Sequence, residues 1–521
     1  MPLYRAFATV GAMTIWSRIL GFIRDVLIAA VLGAGPVADA FFVAFRVPNL
    51  FRRLFAEGAF DAAFIPLFAK RFHGEGGEDG ARAFAEQALA GLTLALVAFT
   101  LLGELVMPWL MLLLAPGFAN DPAKFDLAVL LARIALPFLL CMSLVALYSG
   151  VLNALGRFAV AAFVPSLLNV VLIAVLLTLI AVGDVDQSKA AVALAWGTAA
   201  SGVLQVIVVA VAAAKSRMRL SFRLPRFDAD MRRLLALAAP GVIAGGMNQI
   251  TIVLNTIIAS LQDRVVSWLY YANRLYELPL GVASIAIAAV LVPMIAAAVR
   301  HGEGKGIAAT QSRGFEIALG LALPAAVAFA LLAEPIARGL FERGAFGPRD
   351  TAAVAAALAA ICAGLPGHTL EKILGAVSFA HEDTRTPMLA ALAGLAAAVA
   401  GSLALFPSYG HVGVAAAIGT SGWVGATLLG VVLWQRRWLQ LDRDAARRLP
   451  RIVAATLVMG LAVFGLHQLL ASPLITNGSQ LVRLAALALL VATGLAVYLA
   501  SIELLGVARL RDLLAAVRHR T

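Results

Sequence analysis

Apolar runs of about 20 residues recur from one end of this chain to the other, the length that crosses a hydrocarbon core of roughly 30 Å. Fourteen such runs can be drawn, at about 9–32, 37–69, 84–114, 127–153, 159–182, 190–214, 232–260, 266–299, 311–340, 351–380, 386–406, 411–435, 451–471 and 480–506. The pattern predicts an all-α polytopic membrane protein. A transmembrane β-barrel would need short segments of strict alternation instead. The second and eighth runs carry prolines and polar stretches, so they are expected to be bent or broken. Between the runs there is no hydrophilic stretch long enough for the catalytic fold of a soluble enzyme.

Composition sharpens this picture. Of 521 residues, 62% are hydrophobic and 13% charged, with a mean hydropathy of +0.93. A soluble chain of this size could not hide so much apolar surface from water. The net charge of +12 invites nucleic acid as a partner, but its distribution argues against that. With a cytoplasmic N-terminus, 26 Lys/Arg fall in inside loops and tails and five in outside loops. This is the bias that orients membrane proteins, and it places both termini in the cytoplasm. Cys141 and Cys362 each sit alone in an apolar run and read as packing residues. The first run is interrupted by Arg18 and lacks a small-residue cleavage site, unlike a signal peptide. There is no Walker A loop, no HExxH and no Cys/His cluster at metal spacing. The expectation is no enzyme, no catalytic residue, no cofactor and no metal.

The chain also repeats itself. "MPWLMLLLAPGF" (107–118) resembles "EPIARGLFERGAF" (334–346), and the loops "NALGRFAVAAFVP" (153–165) and "SFAHEDTRTP" (378–387) match with a small deletion. Pro66 and Pro293 are 227 apart, Pro108 and Pro335 also 227, and Pro137 and Pro366 229. Two six-helix lobes are predicted, 1–220 and 221–440, followed by a helix pair and basic tail at 441–521. An even number of spans per lobe makes this a parallel repeat about an axis along the membrane normal, a transporter device.

Ten basic residues remain within or at the edges of spans, and five of them, Arg18, Arg24, Arg46, Arg52 and Arg53, crowd the first two. A charge at the bilayer centre costs about 2.5–3.5 kcal/mol on insertion scales, so such residues face a bundle interior or wet cavity and mark a substrate path. In "TIWSRILGFIRDVLIAAVLG", Arg18 and Asp25 are seven apart and share a bearing, while Arg24 lies roughly 120° from Arg18. Gly21 falls between them. Arg18 and Asp25 could form a pair that ties helices together, which would leave Arg24, Arg52 and Arg53 unexplained. In "RVPNLFRRLFAEGAF", Arg53 and Glu57 are spaced for an i,i+4 pair, and Asp39 lies a few turns earlier. Arginine stays protonated and offers a planar fork to phosphate oxygens. Several arginines facing one cavity suit a diphosphate headgroup. The bland reading of 46–58 is an interfacial turn with snorkelling arginines.

The second half carries an echo in "YYANRLYELPLGVASIAIAAVLVP", where Arg274 and Glu277 mirror Arg53 and Glu57. Glu371 and Lys372, adjacent in the tenth run, read as a local salt bridge.

The stretches "SRILGFIRD", "VADAFFVAFRVPNLFRRLFAEGAFDAAFIPLFAKR" and "YYANRLYELPLGVASIAIAAVLVPMIA" closely resemble the MurJ (MviN) lipid II flippases of the multidrug/oligosaccharidyl-lipid/polysaccharide exporter superfamily. The likeness runs over essentially the whole chain. It implies a transporter in the bacterial inner membrane that moves the undecaprenyl-diphosphate-linked peptidoglycan precursor lipid II outward by alternating access. Lipid II and membrane lipid would be the partners, with room for cell-wall synthesis or division proteins. The resemblance implies functional weight for Arg18, Arg24, Arg52, Arg274 and Asp39, with Asp25, Arg53 and Glu57 beside them. Some members carry acidic residues in the second lobe that suggest a cation site; Lys372 stands in such a neighbourhood here. The rival is a drug/cation antiporter or another polysaccharide-lipid flippase of the same superfamily. An antiporter would want an aromatic or acidic cavity for cationic drugs and twelve spans. A scaffold or receptor without transport is a third class, hard to square with buried charge and duplicated lobes.

Overall fold

The structure, a computed structural model, describes residues 2–55, 59–74, 76–222, 229–287, 291–301, 304–470 and 479–507. Among them the regular elements are helices, with no strand. In order these are α1 (Pro2–Leu32), α2 (Pro36–Phe55), α3 (Ala59–Phe72), α4 (Gly77–Leu114), α5 (Pro122–Ala135), α6 (Pro137–Ala154), α7 (Phe158–Phe163), α8 (Ser166–Val182), α9 (Gln187–Lys215) and α10 (Ala229–Ser260). They continue as α11 (Val265–Ala286), α12 (Val292–His301), α13 (Gly304–Leu331), α14 (Ala333–Phe341), α15 (Pro348–Cys362), α16 (Leu365–Ala380), α17 (Arg385–Gln435), α18 (Arg443–Leu470) and α19 (Gln480–Leu504). The helical, membrane-spanning class expected from the apolar runs is the class observed. Among the described residues nine helical stretches are long and apolar enough to cross a membrane. One of them, α17, runs 51 residues but breaks at Gly410, whose φ of 52° and ψ of −134° no helix accommodates; it covers the eleventh and twelfth runs. Large apolar side chains face outward along such helices, as Leu101, Leu105, Trp109 and Leu113 do on α4. That surface is stable only where the solvent is lipid.

The two runs expected to be bent or broken each hold more than one helix, with Pro48, Pro66 and Pro279 inside helices rather than at the divisions. The second run is two helices, α2 passing through Pro48 to Phe55 and α3 starting at Ala59. The eighth is α11, a π-type turn at Ile287, and α12. Pro137 and Pro348 take the first helical position of α6 and α15, where the missing N–H has no intrahelical partner to lose.

By internal contact the chain forms two compact units. Unit 1 is Met1–Ser267 with Arg343–Phe346, and unit 2 is Trp268–Glu342 with Gly347–Thr521. Unit 1 thus takes in α10. In its core Phe64, Phe68 and Phe84 stack between α3 and α4. In unit 2, α16 beds on α13 and α17 through Ile373, Leu374, Val377, Phe315 and Leu429.

The sequence repeat reappears as repeated local geometry. After α9 the amide of Met218 returns to the Ala213 carbonyl with Arg217 at φ 63°; after α17 the amide of Trp438 returns to Leu433 with Arg437 at φ 59°. Each trailing segment is then pinned by the helix that begins the third span of its half. Glu86 of α4 accepts from the amide and hydroxyl of Ser221. Gln311 of α13 accepts from the amide of Gln440 and donates to the Trp438 carbonyl. Gly156 at φ 73° and Glu382 at φ 60° end α6 and α16 with the same capping turn. Within unit 1, Gly117 lies against the Ser260 carbonyl at the end of α10, and Gly344 lies against the Ala30 carbonyl near the end of α1. Those two glycines are again 227 apart.

Candidate functional site

In unit 1 the charges of the first two apolar runs lie on α1 and α2. α1 presents Ile15, Trp16, Ile19 and Ile23 outward and turns Arg24 and Asp25 inward, 7% and 0% exposed. The Arg24 guanidinium donates from Nε and Nη2 to Asp25 Oδ1, at 3.0 and 2.7 Å, and from Nη1 to Asn169 Oδ1 of α8 at 2.9 Å. Asn169 in turn donates to the Ser17 carbonyl on α1. The ring of Phe45 on α2 lies 5.8 Å from the guanidinium carbon. A carboxylate, an amide and an aromatic face therefore hold the fork of one buried arginine in place. The partner of Asp25 is Arg24, its sequence neighbour. Arg18 is exposed on the same helix, so the Arg18–Asp25 tie is not the one formed.

Along α2, Arg46 donates to the Thr256 hydroxyl of α10. Arg52, half-buried, donates to Asn49 at 3.3 Å, and Asn49 donates to the Phe45 carbonyl. Arg53 belongs to α2, with its side chain outside the described set. Glu57 lies outside the described residues, and with it the Arg53–Glu57 pair.

Asp39, in the first turn of α2, is fully buried. Oδ2 accepts from Lys124 Nζ at 2.9 Å and from the Arg264 amide at 2.7 Å; Oδ1 accepts from the Ser267 amide and hydroxyl at 2.9 and 2.7 Å. The two amides belong to the start of α11, so a carboxylate on α2 caps another helix. Four donors, one of them a cation, compensate its lost hydration. Lys124 is placed by its own helix start: Asp121 caps α5 and Pro122 occupies the first helical position. Its ammonium also meets Asp263 at 2.8 Å and the Phe118 ring at 4.2 Å.

Unit 2 holds Arg274, whose Nη1 lies 3.4 Å from Glu277 Oε2, while Asn273 donates to Oε1 of the same carboxylate. The expected Glu371–Lys372 bridge does not form. Neighbours on a helix point about 100° apart: Glu371 turns to Gly425 of α17, and Lys372 is exposed. Other in-span cations are absorbed structurally. Arg338 and Arg483 meet on Glu342, and Arg133 reaches the Glu104 carbonyl.

Sequence reasoning missed Lys124, Asn169, Thr256 and Ser267. Lys124 had the look of an outside-loop charge; a lysine one turn after an Asp-Pro helix start was the only hint of a fixed position. Among the described residues no three His, Cys, Asp or Glu side chains gather to hold a metal.

Helices that cross a membrane, repeated halves and a positioned arginine at span depth define a polytopic membrane transporter. The fold is similar to a solved structure of "Lipid II flippase MurJ, inward closed conformation", with a TM-score of 0.78 at 24% identity over 97% of this chain and 99% of that one. It is also similar to an inward-facing multidrug resistance MATE family transporter of the MOP superfamily, with a TM-score of 0.63 at 16% identity over 83% and 98% of the two chains. In sequence, a probable lipid II flippase MurJ of Rhizobium meliloti (strain 1021) is 46% identical over 96% of this chain and 93% of its own. A lipid II flippase MurJ of Burkholderia cenocepacia is 35% identical over 88% and 89%. The profile of the family "Lipid II flippase MurJ" matches residues 28–484. The chain belongs to the lipid II flippase MurJ family.

Proposed function

We propose that this chain carries lipid II from the cytoplasmic to the periplasmic leaflet of the bacterial inner membrane by alternating access, with both termini in the cytoplasm. The observation that carries the reading is Arg24, a buried arginine on α1, the helix of the first apolar run, whose fork is held by Asp25 and Asn169. Those two oxygens occupy directions that diphosphate oxygens would take, so the fork is oriented before the substrate arrives. Exposed Arg18 and half-buried Arg52 supply further positive charge on the same two helices, with Arg53, Glu57 and Arg274 as additional substrate-site residues. The polyprenyl tail, being apolar, can stay in lipid while the headgroup crosses. Cell-wall synthesis or division proteins are the partners that would consume the exported precursor. No chemical turnover is involved.

The test is reconstitution in proteoliposomes with lipid II and, in parallel, a cationic dye. Protein-dependent appearance of lipid II in the opposite leaflet, with the dye unmoved, supports the reading. Transport of the dye with lipid II untouched replaces it with the antiporter reading, toward which the MATE-like fold leans.

A further inference from the structure

One group of titratable side chains lies apart from the arginines. In unit 2, α16 and α17 approach through a stripe of glycines. A Cβ on Gly364 would sit 2.2 Å from the Gly419 carbonyl oxygen. One turn along, a Cβ on Gly422 would sit 2.5 Å from His368 Nδ1, and one on Gly425 2.5 Å from Glu371 Oε1. The bare α17 backbone thus makes room for an imidazole and a carboxylate, one helical turn apart on one face of α16. Both are half-buried. Ionisable side chains in that position within a span are retained at a cost and mark function.

The hydrogen bonds around His368 accommodate two protonation states. Ser421 Oγ gives its proton to the Ile418 carbonyl and lies 3.5 Å from His368 Nε2, so it faces that nitrogen as an acceptor. That sets the neutral tautomer with the proton on Nε2. Nδ1 then accepts from the Tyr276 hydroxyl at 2.9 Å. It also lies 3.1 Å from the Gly364 carbonyl, which can only accept. When Nδ1 gains a proton, the N–H turns to Gly364 and the Tyr276 hydroxyl is released. Neither state leaves Nδ1 unpaired.

We propose that His368 and Glu371 form a proton-binding site, in which one proton adds to His368 Nδ1 and the Glu371 carboxylate, one turn on, stabilises the imidazolium. The surrounding charges leave this assignment to the pair. Cys362, the last residue of α15, is buried, and Lys372 on α16 is exposed. On α11, Glu277 is occupied by Asn273 and Arg274. On α13, Glu316 pairs with Arg313 and with Arg448; Gly314 lies nearby and meets Ile373, which points away from Glu371. On α17, His411 contacts the Ala353 carbonyl and the Trp268 ring. On α12, Arg300 and His301 have side chains outside the described set. Use of this proton to drive transport rests on the flippase reading; the binding of the proton does not.

The site has a built-in reporter. Trp423 lies against Gly367, next to His368, and its indole donates to the Ala363 carbonyl. An imidazolium quenches a nearby indole and a neutral imidazole does so far less. Tryptophan fluorescence of the full chain in sodium-free nanodiscs, without lipid II, is titrated from about pH 5 to 8, where histidine changes charge. A transition is expected that His368→Gln and Trp423→Phe each remove, and whose midpoint Glu371→Gln moves to lower pH. An unchanged helical circular-dichroism signal shows that a variant is folded. Trp423→Phe keeps the site and loses only its reporter. If the wild-type minus Trp423→Phe difference does not titrate, or its midpoint ignores Glu371→Gln, the proposal is overturned, whatever lipid II does.

Discussion

Lys124 and Asp39, 85 residues apart, form an ion pair of 2.9 Å in which neither side chain is more than 1% exposed. The pair joins the start of α5 to the start of α2 and, through Asp39, to the first turn of α11. A buried pair adds little net stability, but removing one partner strands the other. Asp39→Asn and Lys124→Met are each expected to destabilise the protein by about 3–5 kcal/mol, read as a lower Tm in detergent. The double variant should lose less than the two singles together, because no lone buried charge is left behind, Asp263 being exposed. Simple additivity would show that the two groups act independently.

Arg24 tests the substrate reading directly. Arg24→Lys retains the charge but loses the planar fork that makes two bonds to Asp25 and a third to Asn169. One charged hydrogen bond is worth about 1.5–3 kcal/mol, so lipid II affinity is expected to fall about 10–100-fold. Arg24→Ala should abolish rescue of a flippase-depleted cell at unchanged protein level. Lysine binding lipid II as tightly as arginine would reduce the role of this side chain to charge alone.

These two residues also mark how far the sequence could be read. Arg24 stood out because a charge in an apolar run is costly enough to need a reason, and the repeat was visible because Pro108 and Pro335 keep their spacing. That the second run divides was legible from its prolines and polar stretch, though α2 passes through Pro48 and ends only at Phe55. Partner choice was not. Asp25 shares a bearing with Arg18, yet its ion pair is with adjacent Arg24, because Asn169 from a helix 145 residues away draws the guanidinium to that side. Lys124 looked like topogenic charge until the fold brought Asp39 over it. Glu371 and Lys372 were read as a pair from adjacency, and the glycines of α17 decide otherwise.

Asp383, in the turn between α16 and α17, gives a pH dependence with a definite sign. The Thr386 hydroxyl bonded to it, helped by the Thr386 amide and Arg436, holds its carboxyl down at about 2 against a usual 3.8. A group depressed in the folded state contributes stability that is complete above its unfolded value and disappears as pH falls through the folded one. The Tm difference between wild type and Asp383→Asn is therefore expected to be constant at neutral pH, to begin shrinking below about pH 4, and to vanish near pH 2. A difference already shrinking between pH 7 and 5 would contradict this assignment.

Gly33 and Gly35, two residues apart in the turn between α1 and α2, should respond in opposite ways to the same substitution. Gly33 has φ 65°, and a Cβ there would lie 2.5 Å from the carbonyl oxygen of Ala345. Gly35 has an ordinary φ and nothing within 4 Å. Alanine at Gly33 must enter the left-handed region, at about 1–2 kcal/mol, and push back a carbonyl as well; Ala345 cannot yield freely, because its own amide is bonded to Ala30. Alanine at Gly35 only narrows the unfolded ensemble, which stabilises by about 0.4–1 kcal/mol. Thermal unfolding of the two variants should therefore move Tm down for Gly33→Ala and leave it level or slightly raised for Gly35→Ala. Equal Tm values would mean that the turn does not rest on residue 345, and that Gly33 is needed for something other than this close approach.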